Sequence, residues 1–70
     1  MSAYAVSVER EYNCFDAWVS SAAVLWRRVD GRWREIDSRS FDAILSRNLS
    51  LARAEHMCYK WQRKYGAERI

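Results

Sequence analysis

LWRRVDGRWREID, Leu25–Asp37, is the stretch on which the fold turns. Asp30-Gly31 lies between two β-forming runs. A tight hairpin turn needs two residues with positive φ, and Asp-Gly supplies them at low cost. Two tryptophans and four arginines flank the pair. A two-residue turn sets Leu25 opposite Ile36. It puts Trp26 and Trp33 diagonally on the other face, near Arg28, and Arg27 against Arg34, a like-charge pair that costs stability. A three-residue loop, Asp30 to Arg32, instead pairs Arg27 with Glu35, Trp26 with Ile36 and Val29 with Trp33. Both registers project arginines beside tryptophan.

Upstream, residues 15–29 carry two patterns. As a helix, Phe15, Trp18/Val19, Ala22, Leu25/Trp26 and Val29 fall at helical spacing. As a strand, Trp18-Val19 and Val24-Leu25-Trp26 are apolar pieces around the small-residue patch SSAA. The hairpin cue favours the strand. Residues 4–12 alternate: Tyr4, Val6, Val8 and Tyr12 share one face, interrupted by Arg10, and Ala5, Ser7, Glu9 and Glu11 share the other. That period belongs to a half-buried strand, which Asn13-Cys14 ends.

Downstream, residues 38–48 read as a further strand or as a short helical turn capped by Ser40, with Phe41, Ile44 and Leu45 in the core either way. Residues 50–65 read as a helix. Ser50 is a suitable N-cap. Leu51, Ala54, Met57/Cys58, Trp61 and Tyr65 form an apolar stripe at spacings of three and four. Gly66 stands where a C-cap glycine belongs. Arg63 and Lys64 lie in the last turn, where cations suit the helix dipole. Arg53, Lys60 and Lys64 share its solvent side.

The chain has 70 residues, enough for one domain with a modest core. Four Trp, four Tyr and two Phe supply much of the area that core can bury. The expected architecture is a single α+β domain, residues 1–70, with a small antiparallel sheet of two to four strands packed on a C-terminal helix over about 50–65. Its expected core contains Tyr4, Val6, Val8, Leu25, Ile36, Phe41, Leu51, Ala54, Cys58 and Trp61.

Chemical motifs are sparse. Cys14 and Cys58 form neither a disulfide framework nor a metal-binding spacing. The single His56 lies beside the apolar stripe, with too few companions for a metal and no pocket-forming nucleophile beside it. Asp30, Glu35, Asp37 and Asp42 are scattered through turns and edges, and nothing pairs them as acid and base. Glycine-rich phosphate loops are absent. No catalytic, metal or cofactor residue is therefore assigned, and the chain is read as non-enzymatic. The N-terminal MSAYAVSVEREY lacks a basic stretch followed by an apolar one, so no secretion signal is expected. No apolar run is long enough to cross a membrane. The expected location is the reducing cytoplasm.

What remains is charge and aromaticity. The net charge is +3, and ten of the twelve cations are arginine. Arginine favours planar contacts to carboxylate or phosphate and stacks on rings. The candidate partner-binding set is Trp26, Arg27, Arg28, Arg32, Trp33 and Arg34 of the hairpin, with Arg53, Lys60 and Lys64 of the helix. The residues suit a protein or ribonucleoprotein partner, since Trp and Arg dominate protein hot spots. They also suit DNA or RNA, through phosphate contacts and base stacking. A homodimer could use the same surface. In format (tiny, single-domain, aromatic-rich) the chain resembles small phage-encoded inhibitors and adaptors, anti-CRISPR proteins among them; no motif carries the likeness. The first expectation is docking on a macromolecular partner, the alternative direct nucleic-acid binding. If nucleic acid is the partner, Arg27, Arg28, Arg34 and Lys60 should cluster on one face. If protein is the partner, an exposed apolar patch containing a Trp and rimmed by charge is expected.

Overall fold

The structure is a computed structural model and describes residues 2–70. Strands β1 (Tyr4–Tyr12), β2 (Trp18–Val29) and β3 (Arg32–Asp42) precede a helix, α1 (Arg47–Tyr65), and a two-residue strand, β4 (Glu68–Arg69). The sheet order is β3-β2-β1-β4. The three long strands form an antiparallel meander, and β4 returns parallel to β1. One face of this sheet carries α1, and the other is open. The expected α+β sheet-on-helix architecture is therefore present, with β4 as an addition that makes the sheet mixed.

Residues 15–29 resolve as a turn followed by the long strand β2. Asn13 organises the turn: its Oδ1 accepts from the backbone N–H groups of Phe15 (2.8 Å) and Ala17 (3.1 Å). The SSAA patch lies at the centre of the sheet, where small residues let the helix come close. Val6, Ala23, Leu25, Ala54, Cys58, Trp61 and Ala67 form the core, with Tyr4, Val8 and Phe41 packed against it. Ser21 and Ser50 are also buried, and the Ser50 hydroxyl donates to the Phe41 carbonyl at 2.5 Å. On the open face Val24 is only 1% exposed. Ser7 faces Val24 and Trp26 faces Ala5 across the β1–β2 pair. The Trp26 indole reaches diagonally over that pair, its Nε1 donating to Ser7 Oγ at 2.8 Å.

The hairpin is the two-residue turn. Asp30 (φ 53°) and Gly31 (φ 78°) both take positive φ, as a type I′ turn requires. Arg27 faces Arg34 and Arg28 faces Trp33, so the three-residue register is not used. The simple register then fails one step further on. A β-bulge after Trp26 sets Leu25 opposite Asp37 rather than Ile36. Ile36 is the extra residue and is 49% exposed, so its expected place in the core is wrong. A bulge leaves one residue unpaired and bends the strand, and here it turns an apolar side chain outward.

Three other expectations need correction. The helix begins at Arg47, and its N-cap is Ser46, whose Oγ accepts from the Leu49 N–H. Ser50 is an interior residue instead. Residues 38–42 complete β3, and the chain then turns. Asp42 Oδ1 accepts from the Ile44 N–H at 2.7 Å, and this turn swings Ile44 (78% exposed) and Leu45 (98%) away from the core. Leu51 is half-buried and stands outside the main cluster. At the other end of α1, Gly66 caps the helix with φ 64°.

Candidate interaction surfaces

The strand registers divide the hairpin residues between two faces. Trp26, Arg28 and Trp33 lie on the open face, all half-buried. The Arg28 guanidinium stacks 4.5 Å above the Trp33 ring and approaches Glu68 at 3.9 Å. Arg27, Arg32 and Arg34 lie on the helix side. Arg27 is 5.9 Å from the Tyr4 ring, which packs at 5.0 Å on Tyr65. Lys64 Nζ is 5.3 Å from that Tyr65 ring. Arg53 and Lys60 also lie on the helix side, at a cleft of about 490 Å³ between β3 and α1. Arg39, Phe41, Ala52, His56 and Met57 complete its lining. The nine candidate residues thus do not make one surface.

Charge separates between the faces. The helix side presents Arg27, Arg34 and Arg39 from the sheet, and Arg53, Lys60 and Lys64 from α1. The open face presents Glu9, Glu11, Glu35 and Asp42, with Arg28 among them, and Asp37 is the carboxylate of β3 on the helix side. Glu11 Oε1 accepts from the hydroxyls of Ser20 (2.7 Å) and Ser40 (2.9 Å) across three strands. A face bearing these carboxylates would repel a phosphate backbone.

A further surface was not foreseen. The molecule measures 36 × 24 × 15 Å. At the end opposite the hairpin tip, the β1–β2 turn, the β3–α1 loop and the first turn of α1 come together. That end exposes Tyr12, Phe15, Ile44, Leu45 and Leu49, with Phe15 at 85%. Asp16, Asp42 and Arg47 belong to the same turns and element ends. Behind it Trp18 is half-buried, with Arg10 4.6 Å and Arg47 5.8 Å from its ring. Its Nε1 donates to the Ser20 carbonyl at 2.8 Å. The sequence held one signal for this surface: in FDAILSRN the alternation stops before Ile44-Leu45, so no strand face claims them.

Glu55 and Cys58 have structural partners. Arg69 donates to both Glu55 carboxylate oxygens, at 2.7 and 2.8 Å, and these hydrogen bonds hold the Glu55 carboxyl below its usual range. Burial pushes the Cys58 thiol up. It points at the Ser7 carbonyl, 3.4 Å away, whereas Cys14 is exposed and both are free thiols. Among the described residues no three His, Cys, Asp or Glu side chains gather as metal ligands, and no helix is long and apolar enough to cross a membrane. No family model, curated protein or solved structure matches the chain.

Proposed function

We propose that the chain is a non-enzymatic binding module that docks on a macromolecular partner protein, in the manner of a small inhibitor or adaptor. The observation that carries this reading is the apolar end. Phe15, Ile44 and Leu45 are the most exposed large apolar side chains among the described residues, at 85%, 78% and 98%, and the strand registers put all three at the same end of the molecule. Isolated exposed apolar residues are ordinary, whereas several at one end of a small domain favour an interaction surface there. The patch lacks the tryptophan expected from composition, because Trp18 is held behind it between two arginines.

Direct nucleic-acid binding is the second reading. Its support is the set of cations beside the β3–α1 cleft. The division of the hairpin arginines weighs against it, since Arg28 points away from Arg27 and Arg34.

Affinity capture from the native source separates the two. Wild-type chain and an Arg27→Ala/Arg34→Ala variant should retain the same partner protein. An Ile44→Glu/Leu45→Glu variant should lose it while keeping the wild-type circular dichroism, because both side chains are outside the core. Undiminished capture by the Ile44/Leu45 variant, or capture abolished by nuclease, would overturn the proposal.

A further inference from the structure

We infer that the β3–α1 cleft and the free outer edge of β3 form a second docking site, one that takes an acidic segment in extended conformation. This site is separate from the apolar end and does not depend on it.

Three observations converge. First, β3 ends the sheet: among the described residues it pairs only with β2. Nearly all of its residues are exposed. An unpaired edge offers backbone donors and acceptors to an added strand, although the Ser38 N–H already donates to Asp37 Oδ1 at 2.8 Å. Second, the edge opens beside a cleft with an apolar floor and a cationic rim. Phe41, Met57 and Ala52 form the floor, and Arg39, Arg53 and Lys60 stand around it. Third, the neighbouring acids are few. Glu55 faces away, in its pair with Arg69, and Asp37 is the one carboxylate of β3 on this side.

The charge selects the occupant. Side chains of an added strand alternate between the two faces. Those facing α1 would meet Arg39, Arg53 and Lys60, which favours carboxylates. Those on the open side would lie beside Ser38 and Ser40, with Glu35 and Asp42 on the same side, which favours small polar residues there over carboxylates. A second copy of this chain is a poor occupant: pairing β3 with itself about Asp37, with Ile36 skipped as it is against β2, sets Arg34 against Arg39. Opposing arginines and the bulge at Ile36 discourage that pairing, whereas the same arginines would attract an acidic strand. Repulsion of the wrong partner and attraction of the right one arise from the same residues. A nucleic-acid strand would use the cations but leave the backbone edge of β3 without a partner.

The test uses the full chain and synthetic peptides, read by fluorescence anisotropy. The probe is a blocked, labelled peptide alternating glutamate with threonine. Controls are its lysine counterpart, a version N-methylated at alternate amides, and an oligothymidine of equal charge. The acidic peptide should bind, and N-methylation should weaken it about tenfold by removing edge hydrogen bonds. An Arg39→Glu/Arg53→Glu variant should lose the acidic peptide by about the same factor and gain the lysine peptide. Both side chains are exposed, so the variant should fold. Lack of binding by the acidic peptide would overturn the inference. So would equal binding of the methylated form, or oligothymidine binding more tightly than the peptide. None of these outcomes touches the apolar end, whose capture experiment stands apart.

Discussion

Single residues in this fold are set by backbone conformation and by which way each side chain points. Gly66 and Gly31 both have positive φ, and a Cβ on either would meet nothing within 4 Å. The cost of a side chain there is therefore backbone strain alone. Gly66→Ala is expected to destabilise by about 1 kcal/mol, from the left-handed conformation that L-residues resist, measured as a lower urea midpoint with unchanged slope. Position 36 gives a sharper contrast. Ile36→Lys should change stability by no more than about 0.5 kcal/mol, as at an ordinary surface site. Leu25→Ala, in the core, should cost about 2–5 kcal/mol. Equal losses in the two variants would mean that Ile36 is buried and the bulge absent. The two cysteines should also separate. Cys14 is expected to react with a thiol reagent in the folded chain, and Cys58, buried with its thiol pushed up, only on unfolding. The helical stripe already placed Cys58 in the core and the strand break placed Cys14 outside it, and the packing agrees.

Among the elements, those written in local chemistry were legible. Asp30-Gly31, the alternation of Tyr4–Tyr12 and the stripe Ala54–Cys58–Trp61 name a turn, a strand and a helix face through short-range rules. The β-bulge was not legible, because no residue type around Ile36 signals it and only the β2–β3 register reveals it. The helix start was misread for a related reason. Ser46 and Ser50 are both good caps by residue type, and tertiary contact decided between them by burying Ser50 against Phe41. Ser46→Ala should therefore cost about 1 kcal/mol, the usual loss for an N-cap hydroxyl, with the first turn of α1 losing hydrogen-exchange protection. The strand β4 is tied to α1 through Arg69 and Glu55. The Glu55 carboxyl is depressed in the fold, so its stabilisation is present above the ordinary carboxylate range and is lost as pH falls through the folded value. Both side chains are well exposed (42% and 46%), so the contribution should be under about 1 kcal/mol and screened by salt. The stability gap between wild type and Glu55→Gln should close on acidification. A gap that stays constant from neutral pH into acid would remove the pair from the account of β4.

At the scale of the whole molecule, the surfaces are distributed by topology. The meander puts hairpin arginines on both faces in alternation, which is why a run of residues that looks continuous in sequence is divided in space. Cations collect on the side of α1, carboxylates on the open sheet, and apolar side chains at the end where both connecting turns meet. The break of alternation before Ile44-Leu45 hinted at the last of these, but Phe15 and Leu45 are far apart along the chain and only the strand order brings them to one end. Partner docking at that end is the central claim, and photo-crosslinking in the native cells tests it most directly. A photoreactive residue at position 45 should give one discrete protein adduct, and the same residue at position 9, on the open face, should not. Adducts from position 9 but none from position 45, or adducts to nucleic acid alone, would contradict it.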